Sequence, residues 1–594
     1  MGVTMKVLLC VVCFLVMFSE CEVMKSETSK TSKAFKQTLG GGRLKEEENS
    51  RKLMENEKHK EDEMVKDALG RGKIKKEKED KAAATPNIVV LLADDLGYGD
   101  LSFSGHPTSR TPHIDGLAQE SRFFTHHYVT SPVCSPSRAS LLTGRMQVRS
   151  GVYPSYFLPD NPLGMHRNET TIAALLKAKG YRTMMTGKWH LGVGSNGEFL
   201  PTHFGFDHYL GLPYPQDMCP CLTCFPGPET CHGPCSNNWV SCPLYSDTTI
   251  IEQPVDLLTL TQRLVHNATA FINESAASDT PFFLYFPFLH IHHPQFASEM
   301  FAGTSDRGLL GDALEEMDWA VGQVVETLRE RGILDNTLIW FSSDNGPSLY
   351  RQERGGCAGM LRCGKGTTWE GGVRVPMFVH WPHPLIAPGR SNGLVSALDL
   401  LPTLASLVGL DTSGLTLDGT DISPLLWNPL APSPRQYMPI YPESPAPSIG
   451  PLAVTNGTYK AHFYTKGSAL SGPDNYDQMC PGTHPLTQHD PPLLFHIYRD
   501  PGERYDLSGD SQYSDVISDL TAWREEHMKT MTWSFPLTEL HESSSQPCCT
   551  SPSCTPFPRC CDCPTYSFSP SPAPHPFHTP AQSHPNPVSS VMLH

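Results

Sequence analysis

Beyond residue 18 the 594-residue chain contains no apolar run long enough to cross a bilayer, so the sequence predicts a protein that does not span the membrane. Positive charge is in deficit. Against 62 Asp and Glu stand 46 Lys and Arg, a formal net charge of −16. That balance argues against a nucleic-acid partner, and it means that any anionic substrate must be met by locally placed cations. No internal repeat is present. What the chain does have is enough apolar material, 39% of residues, to bury a core across two or three domains. Its 54 Pro and 47 Gly point to long loops, and its 19 Cys fall in clusters.

The chain divides by composition. Residues 1–21 pair Met5-Lys6 with an apolar run over 7–18, too short to span a membrane and flanked like a secretory signal. Residues 22–85 are mixed-charge with almost no aromatics and read as a solvated, disordered extension. From residue 86 strands and helices alternate. Strands are predicted over 87–93, 181–186, 281–288, 337–342 and 375–381, and helices over 170–179, 312–331 and 396–408. This pattern predicts an α/β domain over 86–420 whose central, largely parallel sheet is covered on both faces. A smaller antiparallel domain follows over 421–563, ending in a Cys-rich stretch, and 564–594 is a Pro/Ser-rich tail read as disordered.

The cysteines fit disulfides in an oxidising compartment better than zinc. Cys219, Cys221, Cys224, Cys231, Cys235 and Cys242 form one set, and Cys548, Cys549, Cys554, Cys560, Cys561 and Cys563 another. A pairing of Cys363 with Cys480 across the two domains is open. Cys134 and Cys357 are then single.

Cys134 opens the segment Cys134-Ser135-Pro136-Ser137-Arg138. Pro136 fits a helix start near its first position, with Cys134 or Ser135 as the cap. A residue there faces amide donors that favour an anion, and Arg138 lies one turn on. The alternative is an unreactive buried thiol. Four other polar clusters each follow a predicted strand: Asp94-Asp95, Lys188-Trp189-His190, the histidines at 290, 292 and 293, and Asp344-Asn345. Parallel strands share a carboxyl edge where ligands bind. Asp94, Asp95, Asp344 and Asn345 are hard oxygen donors suited to Ca²⁺ or Mg²⁺. Arg138, Lys188 and Lys365 supply cations, and together these groups suit phosphoryl or sulfuryl transfer.

These segments resemble the type I sulfatases. The likeness runs through Cys134-Ser135-Pro136-Ser137-Arg138, Leu142-Thr143-Gly144-Arg145, Asp94-Asp95-Leu96-Gly97-Tyr98-Gly99-Asp100, Gly187-Lys188-Trp189-His190 and Ser343-Asp344-Asn345-Gly346, and continues through Gly364-Lys365-Gly366-Thr367-Thr368. Within the family it is strongest to the arylsulfatases of cerebroside-sulfatase type. The resemblance implies an alkaline-phosphatase-like fold: a large mixed sheet sandwiched by helices, with a smaller C-terminal domain on an antiparallel sheet.

It also implies that Cys134 is converted to Cα-formylglycine by the formylglycine-generating enzyme during maturation. One Ca²⁺ is then held by Asp94, Asp95, Asp344, Asn345 and residue 134. A hydroxyl of the hydrated aldehyde attacks sulfur with Arg138 stabilising it, Lys188 grips the sulfate, His292 with Lys365 protonates the leaving alcohol at acid pH, and His190 takes the final proton. The implied substrate is a sulfated glycolipid such as cerebroside 3-sulfate, presented by a carrier, with aryl sulfates as artificial substrates. The implied location is the lysosomal lumen, or else outside the cell, and a homo-oligomer is compatible. Sequons at Asn168, Asn267, Asn273 and Asn456 fit that route.

One departure concerns substrate choice: Pro215 replaces a serine that the family carries near its substrate. Three alternatives remain at this point. These are a sulfatase for glycosaminoglycan or steroid sulfates, a phosphatase or phosphodiesterase on the same scaffold, and a non-catalytic secreted binding protein.

Overall fold

Strand β1 (Asn87–Ala93) is buried along its whole length. Alternate side chains leave opposite faces of a strand. Here Ile88, Val90 and Leu92 enter one apolar core, and Val89, Leu91 and Ala93 enter another. A strand apolar on both faces belongs in the middle of a covered sheet, and β1 lies there. The computed structural model describes residues 85–218, 224–226, 239–382, 386–468, 470, 480, 484–550 and 561. The expected signal, the charged extension, the Pro-rich tail and Cys219, Cys221, Cys231, Cys235, Cys554, Cys560 and Cys563 lie outside the described residues.

The other strands of the large sheet are β2 (Arg122–Tyr128), β3 (Arg182–Thr186), β4 (His208–Gly211), β5 (Leu244–Ser246), β6 (Thr249–Glu252), β7 (Phe282–Pro287), β8 (Thr337–Ser343), β9 (Met377–His380) and β10 (Gly389–Ser396). Their order is β10-β2-β9-β8-β1-β7-β3-β4-β5-β6. The run β8-β1-β7-β3-β4 is parallel throughout. Strand β9 is antiparallel to both of its neighbours, and β5 reverses against β4, so the sheet is mixed.

Helices α1 (Pro112–Gln119), α2 (Cys134–Thr143), α3 (Ile172–Ala178), α4 (Leu257–Ala277), α5 (Gly308–Glu330) and α6 (Leu400–Leu407) divide between the faces. Apolar residues of α1, α4 and α5 join the core of Val89 and Leu91; those of α2, α3 and α6 join the core of Ile88 and Val90. Helix α4 starts where Asp256 accepts a bond from the Leu258 amide at 3.1 Å. Helix α5 begins four residues before the expected Asp312. That carboxylate instead accepts from the amides of Gly303, Thr304 and Ser305, tying down the preceding loop. The helix expected over 396–408 splits into a single 3₁₀ turn, Ala397–Asp399, closed by a Ser396/Asp399 capping box, and then α6.

A second sheet, β11 (Met438–Ile440), β12 (Ala453–Thr455), β13 (Lys460–Thr465) and β14 (Thr487–Phe495), is antiparallel throughout. It packs on helix α7 (Ser514–Thr530) through Val454, Phe463, Leu494 and Leu520. A buried ionic cluster joins this sheet to the first. The Lys460 ammonium lies 3.0 Å from Glu370 and 3.1 Å from Glu503, His462 bonds Glu503 at 2.7 Å, and the Tyr128 hydroxyl donates to Glu370 at 2.8 Å. The Cys363–Cys480 disulfide crosses the same boundary. Cys548 pairs with Cys561, while Cys224, Cys242 and Cys549 are also disulfide-bonded. Cys134 and Cys357 are free.

Candidate active site

The adjacent strands β8, β1, β7 and β3 end at one edge of the sheet, and each hands over polar residues at its C-terminus. In that order they deliver Asp344 and Asn345, Asp94 and Asp95, the histidines at 290, 292 and 293, and Lys188 with His190. All of these side chains are buried. Helix α2 brings Cys134 and Arg138 from the side, and the loop after the Cys363 disulfide brings Lys365. Every candidate site residue read from the sequence therefore lies in one region.

The backbone is bent to make this possible. Asp95 and His190 both take left-handed φ values, 60° and 61°. For non-glycine residues such conformations cost on the order of 1–3 kcal/mol and persist where surrounding packing fixes them. At Gly187 a Cβ would meet the Pro287 carbonyl oxygen at 1.9 Å, so the turn carrying Lys188 tolerates no side chain there.

Cys134 is the first residue of α2, with extended Val133 as its cap and no side-chain cap bond. The expected cap at Cys134 or Ser135 is thus corrected by one or two positions. Pro136 falls third in the helix, and proline fits there because the first helical amides have no intrahelical acceptor. The Cys134 sulfur lies 3.7 Å from Asp94 Oδ1 and 3.5 Å from Lys365 Nζ. Burial pushes its thiol far up despite the nearby Lys188 and Lys365, so this is no activated thiolate.

Six charged side chains interlock beside it. Lys188 Nζ lies 2.5 Å from Asp94 Oδ2, and Lys365 Nζ 2.6 Å from Asp95 Oδ1. Arg138, one turn on from Cys134, is engaged by the acids. Its guanidinium lies 2.8 Å from Asp344 Oδ2 and 3.5 Å from Asp94 Oδ2, and donates to the Lys188 carbonyl at 3.1 Å. Burial opposes the Arg138 charge, but Asp344 and Asp94 more than offset it and raise the group.

Burial disfavours charge on two of the histidines, His292 and His190. Burial lowers His292 well below the usual imidazole range, and Lys365 and Lys188 add to the effect. Its Nδ1 bonds the His293 carbonyl at 2.5 Å, leaving Nε2, 3.7 Å from Asp95 Oδ2, as the acceptor. His190 is lowered by burial, then by Lys188 and Arg138. Its Nε2 bonds the Phe157 carbonyl at 3.0 Å, which leaves Nδ1 as the acceptor.

Asp94, Asp95, Cys134 and His292 each offer a ligand-type atom within 4.8 Å of the others. The donor set suits a hard cation. Two buried carboxylates stand beside Asn345, whose Oδ1 is buried with no hydrogen-bond partner among the described residues while its Nδ2 donates to Asp95 at 2.8 Å. Asp344 Oδ1 accepts from the Asp95 amide at 3.2 Å, which fixes the register of the two acidic turns.

A cavity of about 220 Å³ opens onto this cluster. Asp95, Cys134, His190, Pro215, His292 and Lys365 are among the residues that line it. Four further lining residues carried no signal in the sequence: Tyr156 lies in a loop, and Asp217, Tyr350 and Arg351 lie in short 3₁₀ turns outside any recognisable pattern.

The "Sulfatase" family model matches residues 86–410, and "C-terminal region of aryl-sulfatase" matches residues 433–562. This chain belongs to the sulfatase family. Arylsulfatase A of Homo sapiens is 45% identical over 489 residues, 81% of this chain and 96% of that protein. N-acetylgalactosamine-6-sulfatase of Canis lupus familiaris is 37% identical, covering 76% of this chain and 87% of that protein. Among solved structures, the PsFucS1 sulfatase from Pseudoalteromonas sp. superposes with a TM-score of 0.66 at 29% identity, over 77% of this chain and 92% of that one. The fold is therefore the alkaline-phosphatase-like sulfatase fold with its smaller C-terminal sheet, and the chain is a sulfuric ester hydrolase of arylsulfatase A type. No described helix is long and apolar enough to cross a membrane.

Proposed function

We propose that this sulfatase hydrolyses sulfate esters of glycolipids, cerebroside 3-sulfate among them, using Cα-formylglycine at position 134 and one Ca²⁺. The observation that carries the reading is the position of Cys134. It is a free cysteine among disulfide-bonded ones, buried at the head of α2 within 4 Å of Asp94 and Lys365. A neutral thiol there is a poor nucleophile, whereas a hydrated aldehyde at the same carbon supplies an oxygen nucleophile for sulfur.

Asp94, Asp95, Asp344 and Asn345 would hold the Ca²⁺, whose charge would favour a sulfate oxygen and the anionic form of residue 134. The remaining chemistry belongs to this chain's side chains. Lys188 and Lys365 meet the sulfate oxygens, and Arg138 holds the acids in place while adding positive potential. His190 receives a proton at Nδ1. His292 takes up a proton at Nε2 once the sulfate's negative charge offsets burial and the neighbouring lysines, and passes it to the departing alcohol.

Delivery to the lysosome through the secretory pathway, with a carrier presenting the lipid, agrees with this reading and with the exposed sequon at Asn168. Asn267, Asn273 and Asn456 are half-buried. A panel of sulfated galactolipid, steroid sulfate and sulfated aminosugar tests the proposal. The galactolipid gives the highest kcat/KM, and Cys134→Ala abolishes turnover. Preference for a steroid sulfate, or full activity in Cys134→Ala, would contradict it.

A further inference from the structure

The cavity lining also carries groups that sulfate chemistry does not use. Asp217 is half-buried at the cavity, and its Oδ1 is shut off from the surface with no hydrogen-bond partner among the described residues. Burial raises its carboxyl to about 6; Lys365 and Lys188 lie near enough to offset part of that, yet it makes no ion pair with either among the described contacts. Two aromatic residues, Tyr156 and Tyr350, line the same cavity, and both feel the Asp217 charge. Tyr350 is packed against the Arg351 guanidinium at 4.3 Å.

An uncompensated carboxylate costs stability, and groups of that kind persist where a ligand supplies the missing partner. A carboxylate flanked by rings suits a hydroxylated, ring-shaped leaving group: hydroxyls donate to the acid while C–H faces lie on the aromatics. A flat aryl ring or a sterol offers no such donor. The cavity's size points the same way. Sites that engulf a drug-sized ligand run to ~300–1,000 Å³, whereas the described residues enclose about 220 Å³, closer to the size of a sulfate and one ring.

We propose that Asp217 is a specificity residue that accepts a hydrogen bond from a sugar hydroxyl next to the sulfated carbon, selecting sugar sulfates over aryl and steryl sulfates. The inference rests on the sulfate-ester reading above and adds to it the part of the leaving group that is read. Where Pro215 removes a hydroxyl from the same loop, Asp217 supplies the polar contact two residues later.

The test uses full-length, mature enzyme with a galactoside 3-sulfate, its 2-deoxy and 4-deoxy analogues, and a small aryl sulfate. In the wild type, one of the two deoxy analogues loses about 10–100-fold in kcat/KM, the range of a hydrogen bond to a charged group. In Asp217→Ala that penalty disappears, and the sugar-to-aryl ratio of kcat/KM falls by a similar factor. Asp217→Asn, which keeps an acceptor oxygen and the shape, retains part of the penalty and provides the comparison should the alanine variant not fold. Equal deoxy penalties in wild type and variants, or no penalty in active wild type, would overturn this inference alone. Wild-type enzyme inert toward every sulfate ester would overturn the sulfate-ester reading, and this inference with it.

Discussion

Arg138 and Asp344 form an ion pair with neither side chain exposed, Nη2 to Oδ2 at 2.8 Å and Nε to Oδ2 at 2.9 Å. The pair connects the helix that carries Cys134 to the strand edge that carries the acidic cluster, so one contact serves both the fold and the site.

Removing one partner of such a pair leaves an uncompensated buried charge. Arg138→Leu should therefore cost about 3–5 kcal/mol of stability, in addition to lost turnover. Arg138→Lys keeps the charge but not the two-pronged geometry, and falls between. Thermal unfolding measured beside kcat/KM checks both; an Arg138→Leu protein as stable as wild type would contradict the ion-pair account.

Lys365 sits between Asp95 and the Cys134 sulfur. Burial opposes its charge, but Asp95 and its neighbours more than offset this and hold it charged. Lys365→Met should lower kcat by roughly 10²–10³, the usual effect of deleting one fixed charge donor. Single-turnover kinetics with a small aryl sulfate measures it, and a change confined to KM would argue that Lys365 only binds.

The ionic cluster between the two sheets makes a separate, acid-limited prediction. Burial works against the Glu503 charge, but Lys460 and His462 prevail and hold its carboxyl at about 2, below its ordinary value of 4.5. A carboxyl lowered on folding adds stability that is fully present above its unfolded value and is lost as pH falls toward the folded one. Here that window is pH 4.5 down to 2, and the effect is on the order of 3 kcal/mol. Denaturant titrations should find Glu503→Gln less stable than wild type at pH 7, with the gap narrowing below pH 4.5. A gap independent of pH would contradict the assignment.

Burial and the neighbouring cations also lower His190. A base whose folded value lies below 6.5 stays unprotonated as the medium acidifies, so the acid limb of kcat/KM should fall below pH 6.5. An acid limb at or above 6.5 would mean that another group acts as the base.

The sequence exposed the centre of this molecule more clearly than its edges. The strand before Asp94 is a continuous aliphatic run, and the polar residues after β1, β3, β7 and β8 mark a shared edge because parallel strands must end together. Strands β2 and β10 were not visible. Arg122-Phe123-Phe124-Thr125-His126-His127-Tyr128 and the Gly/Arg/Ser/Asn-rich β10 lack a clean strand pattern, and their pairing is set by tertiary contacts. Residue type alone does not reveal the burial and the two nearby lysines that lower His292. Asp217 was missed because its meaning lies in what surrounds it.

The central claim is that residue 134 acts as an oxygen nucleophile made from cysteine, and mass spectrometry of the peptide spanning Cys134 in active, secreted protein tests it most directly. The account predicts a residue with oxygen in place of sulfur and two fewer hydrogens, reactive toward a hydrazide. Fully active protein whose residue 134 is an intact thiol would contradict it.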